Sequence, residues 1–158
     1  HVHAQVSGNA RVYGNARVYG NARVSGNARV YGNAWVYGDA RVSGDARVYG
    51  NAWVYGNARV SGDARVYGNA WVYGDALVSG NALVSGDADY LVIGPIGSRS
   101  AFATWTASDD CIATGCFRGT VAEFRSAVIA THGEGRHAVE YLAMLDFIAA
   151  VRKARESK

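Results

Sequence analysis

The chain has 158 residues, 49% of them hydrophobic and 18% charged, with a formal net charge of +3. These values fit one or two folded domains, and the mild positive charge, with no basic cluster in a recognisable reading motif, argues against nucleic acid as a partner. No apolar run approaches the roughly 20 residues of a membrane span, no signal peptide is visible, and twenty glycines against one proline point to a recurring tight turn.

Valine recurs every sixth residue from Val6 to Val84, and alanine every sixth from Ala4 to Ala88. Residues 1–90 are therefore fifteen hexads of the form V-[S/Y]-G-[N/D]-A-[R/W]. A period of eighteen rides on the first, because serine follows the valine at Ser7, Ser25, Ser43, Ser61 and Ser79 and tyrosine follows it in most of the others. A fixed short period with its own superperiod marks a solenoid whose units bury themselves only against their neighbours. Within a hexad, strand alternation puts valine inside and its two neighbours outside. Glycine followed by Asn or Asp makes the turn, since both tolerate left-handed backbone angles, and alanine fits a tight corner.

On these residues the repeat region resembles the hexapeptide-repeat proteins, and within them the V-S-G-N-A repeats of acyltransferase-like proteins of bacteria and phages. It departs from the commonest pattern in placing glycine two residues after the aliphatic position. The resemblance implies a left-handed parallel β-helix of triangular section, predicted here as five 18-residue coils over residues 1–90, an all-β solenoid followed by a small α+β domain over 91–158. It also implies a homo-oligomer, a trimer above all, packed side by side. The start at His1, inside a hexad, leads us to expect further coils upstream.

The superperiod makes the three faces unequal. The first carries Arg23, Arg41 and Arg59 beside the serines; the second carries Arg11, Arg29, Arg47 and Arg65 beside Tyr13, Tyr31, Tyr49 and Tyr67. The third carries Trp35, Trp53 and Trp71 beside Tyr19, Tyr37, Tyr55 and Tyr73. Seven aromatic rings form a patch large enough to imply a partner. Self-association through this face is the leading reading. Simple stabilisation by cross-strand ring contacts is the bland one, and a glycan lying on the ladder is the third. In the last coil Leu77 and Leu83 replace arginine, and exposed leucines there predict a cover, supplied by the rest of the chain folding back on the coil end.

Beyond residue 90 the composition changes. Residues 91–94 read as a strand ending at Gly94-Pro95-Ile96-Gly97, residues 101–107 as a second, and Asp109-Asp110 as a turn into an extended stretch over 111–118. Thr120 and Glu123 form a capping box for a helix that stops at His132-Gly133, and a second helix spans about 136–155. The stretches Ile93 to Arg99, Gly115 to Phe117 and Thr131 to Gly133 are similar to a C-terminal module associated with bacterial and phage hexapeptide-repeat proteins, one with no activity to carry over.

Chemistry is thinly represented. Acyl transfer of the hexapeptide class would need a histidine base beside a groove, yet the hexads contain no insertion, and the coil histidines are His1 and His3 alone. Cys111, Cys116, His132 and His137 are spaced poorly for zinc, and in one extended stretch the two thiols would splay apart. Unpaired cysteines favour a reducing compartment, but location stays open between the cytoplasm and a phage or cell-surface assembly. No catalytic residue, metal or cofactor is assigned. Gly97, Ser98 and Arg99 offer backbone amides and a guanidinium to an anion, although a plain hairpin turn explains them equally well. The reading is thus a non-catalytic rod that self-associates through its aromatic face, with a C-terminal cap or recognition tip. A glycan- or anion-binding module is the alternative, and an acyltransferase the second.

Overall fold

The computed structural model describes residues 4–115 and 117–157. His1, His3 and Cys116 lie outside the described residues. Between Gln5 and Val84 the chain forms two-residue strands at every hexad, β1 (Gln5–Val6) to β14 (Leu83–Val84), joined by turns of identical build. They stack as three parallel sheets, each strand pairing with the one eighteen residues on, Val24 beside Val42 and Trp35 beside Trp53. From Ala22 and Val24 to Ala82 and Val84 every alanine and valine of the repeat is fully buried, so the core is a column of small aliphatic side chains.

The hexad turn divides its labour in a way the sequence does not announce. Only the glycine takes a positive φ, for instance +64° at Gly44 and +68° at Gly50, while the Asn or Asp after it stays at negative φ. With the Ala46 amide donating to the Ser43 carbonyl at 3.3 Å, this is a type II′ turn, which places glycine first. A Cβ on Gly44 would stand 3.0 Å from the Gly62 amide nitrogen of the next coil, so stacking as well as φ demands glycine. The Asn and Asp side chains instead run up the corners as amide ladders. Asn15 donates to Asn33, and Asn33 to Asn51, at 3.2 and 3.3 Å, and Asn27 donates to Asp45 at 3.0 Å.

The coil count falls short of the predicted five. The first and second faces have five strands each but the third has four, ending at β12 (Trp71–Val72). The fifteenth hexad is a 3-10 turn over Asp87–Asp89, and Tyr90 occupies the position where valine is due. An aromatic ring there closes the core column, and its hydroxyl donates to the Trp71 carbonyl at 2.7 Å, where the next strand would have brought an amide. The other faces end the same way. In the coils the Arg59 amide donates to the Ala76 carbonyl and the Arg65 amide to the Ala82 carbonyl. One coil later the Leu77 amide donates to Thr104 Oγ1 and the Leu83 amide to Ser108 Oγ, both at 2.8 Å. The edge is therefore blocked by one hydroxyl per face, which is how an open strand end is kept from templating another chain.

Tyr90 and Thr104 belong to, and Ser108 lies in a turn of, a four-stranded antiparallel sheet, β15 (Tyr90–Ile96), β16 (Ala101–Thr106), β17 (Cys111–Thr114) and β18 (Phe117–Thr120), backed by α1 (Val121–His132) and α2 (Arg136–Glu156). Two expectations need correction. The stretch over 111–118 is not one strand but a hairpin, because Gly115 turns at φ +55°. The first strand also runs on through Gly94-Pro95, absorbing them as a register shift between Ile93 and Ile96, and the turn falls at Gly97 to Ser100. The helices match their signals. Thr120 accepts from the Glu123 amide, Gly133 ends α1, and α2 buries Tyr141, Met144, Leu145 and Ile148 over the sheet. Strand β15 serves both cores by alternation, Tyr90 and Val92 facing the coils and Leu91 and Ile93 the sheet–helix core. Arg118, held by Asp109, lies across the last corner of the first face and bonds the Ser79 carbonyl at 3.1 Å. A Cβ on Gly80 would collide with its guanidinium.

Candidate functional site

The third face carries two columns of aromatic side chains, one of tryptophan and one of tyrosine. Because Trp35, Trp53 and Trp71 flank the inward valines on one side, they repeat in strict cross-strand register. Their rings stack at 5.0 and 5.3 Å with planes 3° and 11° apart. Tyr19, Tyr37, Tyr55 and Tyr73 make a parallel ladder on the other side of the valines, with 5.0 to 5.4 Å between centroids. The two ladders meet edge to face, Tyr19 on Trp35 at 6.1 Å and Tyr37 on Trp53 at 6.2 Å, a favoured geometry for rings with a negative face and positive edge. The Arg17 guanidinium lies 5.3 Å from the Trp35 ring and closes the lower end. The upper end is the most open, with Trp71 47% and Tyr73 50% exposed. Burial against the neighbouring rings pushes the Tyr37 and Tyr55 phenols above their usual range, and neighbouring tyrosines add to it.

The second face carries an equivalent ladder, Tyr13, Tyr31, Tyr49 and Tyr67 at 5.0 to 5.3 Å, but beside a column of arginines instead of indoles. Successive arginines on the first and second faces pair strand to strand. Like charges opposed in this way destabilise a sheet, and they leave both faces cationic. The third face has a single arginine, Arg17, below its tryptophans.

At the coil end the two leucines differ. Leu77 is half-buried where β13 (Leu77–Val78) lies against β16 and β17, whereas Leu83 remains 39% exposed. Ser98 and Arg99 stand exposed on the β15–β16 turn and Gly97 is buried beneath them. They border a cleft of about 420 Å³ whose other walls are the β17–β18 turn at Gly115 and Phe117, the end of α1 at Thr131 and His132, and Tyr141 of α2. Sequence reasoning missed that Phe117, Phe124 and Tyr141 line one cleft with Arg99, because one long strand over 111–118 keeps the Gly115 turn away from it. Cys111 is buried, its thiol donating to the Asp109 carbonyl at 3.4 Å, and burial followed by the Asp109 charge pushes it up. The rings of His132 and His137 meet edge to face at 5.6 Å, and His137 Nδ1 sits 3.2 Å from Glu140. No described helix is long and apolar enough to cross a membrane.

Three parallel sheets stacked at an eighteen-residue repeat make residues 4–90 a β-solenoid. The particular repeat is similar to the family described as the YdcK beta solenoid repeat, whose model matches residues 4–20, 10–24, 16–28, 22–38, 40–56, 52–64, 58–74 and 64–80. No curated protein and no solved structure matches the chain.

Proposed function

We propose that this β-solenoid is a structural rod that self-associates side by side through its third face, the C-terminal module closing one end. The double aromatic ladder is the observation that carries the reading. It is a continuous apolar strip on a rod whose other two faces each present a column of arginines, so two copies meet there without bringing like-charged columns together. A trimer about a common axis fits a triangular rod with one such face per copy, and the resemblance of the repeat to hexapeptide proteins points the same way.

The ring orientation favours this over a glycan. An inner indole such as Trp53 has another indole over each face, so it turns mainly its edge outward and offers a sugar no flat platform. Edges suit interdigitation with a second ladder, in the same T-shaped contacts already seen between Tyr37 and Trp53. Acyl transfer, the chemistry associated with similar repeats, finds no histidine between residues 4 and 90 to act as base.

The test is solution mass by light scattering on the intact chain and on a variant with Trp35→Ser, Trp53→Ser and Trp71→Ser. The parent is expected to be oligomeric and the variant monomeric, with circular dichroism reporting that the coils persist. A monomeric parent, or an oligomer unaffected by the three substitutions, defeats the proposal.

A further inference from the structure

The cleft in the C-terminal module is separate from the aromatic face and has the build of a ligand site. Its floor is apolar, with Phe117 edge-on to Phe124 at 5.2 Å and Phe124 edge-on to Tyr141 at 5.4 Å. Tyr141 is 8% exposed, and its hydroxyl has no hydrogen-bond partner among the described residues, although it lines the cleft. Among the described residues no buried side-chain polar atom is left unpaired, so this hydroxyl is open to the cleft, where it can bond what enters. The turn above is shaped around this hydroxyl. Gly97 takes φ +77°, and a Cβ there would collide with Tyr141 Oη.

Charge decides what enters. Among the described residues those lining the cleft include Arg99 and His132 and no carboxylate. The Arg99 guanidinium reaches over Gly115, whose missing Cβ would lie 3.6 Å from one of its terminal nitrogens. Ser98 and Thr131 add two hydroxyl-bearing side chains to the lining. The volume of about 420 Å³ lies near the small end of the range for small-molecule sites. The walls come from segments well separated in sequence, the turn at Ser98 and Arg99, the residues Gly115 and Phe117, and the end of α1 at Thr131 and His132. Those are the segments that stand apart in the C-terminal sequence.

We propose that this cleft binds a small organic anion, a single carboxylate or phosphate ester carried on a ring-sized apolar body. The anionic head sits at Arg99 and Ser98, the body lies over Phe117 and Phe124, and the Tyr141 hydroxyl donates to a polar atom at the inner end. The C-terminal end of α1 carries the negative pole of the helix dipole. That directs the head to the Arg99 side and leaves Thr131 and His132 to neutral polar groups.

Phenyl phosphate and benzoate are suitable probes, titrated into the intact chain while the Gly97 and Gly115 amide resonances are followed by NMR. Saturable shifts are expected for at least one of them, with about tenfold weaker binding of inorganic phosphate and of benzyl alcohol. Arg99→Gln is expected to weaken the anion about tenfold, with circular dichroism reporting that the fold persists, and Tyr141→Phe to weaken it several-fold. Failure of both probes to saturate by about 10 mM overturns the proposal. So does benzyl alcohol binding as well as the anions, which makes the cleft an apolar crevice, or inorganic phosphate doing so, which makes it a surface charge. Unchanged affinity in Arg99→Gln overturns it too, whatever becomes of the Tyr141 variant. None of these readings depends on the association state, which the tryptophan variant reports.

Discussion

The coils and the cap solve the same problem by opposite means. In the coils the amides of the outward residues and of Asn or Asp bond a carbonyl seventeen residues on, and corner asparagines bond the side chain eighteen residues on, so any middle coil could stand for another. The cap uses each residue once. Asp109 holds Arg118 and accepts from Thr106, Asp110 accepts from Trp105 and pairs with Arg152, and Arg155 reaches back to the Ala88 and Tyr90 carbonyls. A repeat can tell its faces apart only by columns and makes extended surfaces, whereas one-off contacts can build a cleft with walls of different chemistry.

The sharpest way to break this comparison is in the cap core. Leu145, 1% exposed among Trp105, Ile112 and Ile148, changed to Ala is expected to cost about 2–5 kcal/mol. Chemical denaturation should then separate into two transitions, cap before coils. The variant should also aggregate, because the Leu77 and Leu83 amides lose their hydroxyl acceptors. One cooperative transition would mean that cap and coils fold as a unit.

A coil substitution should act more locally. Gly44→Ala puts a side chain at φ +64° and 3.0 Å from the next coil's backbone, and an expected cost of about 1–2 kcal/mol follows from the left-handed backbone alone. The shift in denaturation midpoint measures it. Gly74, where a Cβ meets nothing, should show the conformational cost without the stacking contact, so the difference between the two variants isolates coil packing.

The smallest effect falls at the junction. Tyr90→Phe removes the hydroxyl bonded to Trp71 and should cost about 0.5–1.5 kcal/mol at neutral pH. It should also change the alkaline limb. Burial pushes the Tyr90 phenol up, and Tyr31, Tyr37 and Tyr55 are raised too, mainly by burial and then by neighbouring tyrosines. Groups with raised folded values favour their neutral form in the folded state. Their contribution is therefore intact below the unfolded tyrosine value of about 10 and is lost as pH rises through the higher folded values. Thermal melts above about pH 10 should fall for the parent and fall less steeply for Tyr90→Phe. Equal slopes would show that the tyrosine ladders, not Tyr90, carry the alkaline sensitivity.

What was legible in the chain follows the same division. Val6 to Val84 point in, glycine turns, and the tryptophans share one face, because in a repeat each local pattern is read many times over and every partner lies at a known offset. Thr120 and Gly133 mark α1 for a similar reason, since capping is local. The end of the solenoid was not legible. Tyr90 falls in the valine phase yet looks like loss of register, and nothing local ties Thr104 or Ser108 to amides 25 or more residues away. The cleft was hidden by a single residue. Without the left-handed turn at Gly115, Phe117 cannot be brought opposite Arg99, and Gly97, Ser98 and Arg99 read as an ordinary hairpin tip.

Blocking each face with one hydroxyl makes the length of the rod adjustable in discrete steps. Adding or removing eighteen residues leaves Tyr90, Thr104 and Ser108 meeting the same three columns and moves the cap by one strand spacing, about 4.8 Å along the axis. A six-residue change would instead rotate the cap by a third of a turn, setting its cleft above a different face. The position and the heading of the cap cleft relative to the tryptophan ladder are thus written in the number of hexads, like the teeth of a ratchet.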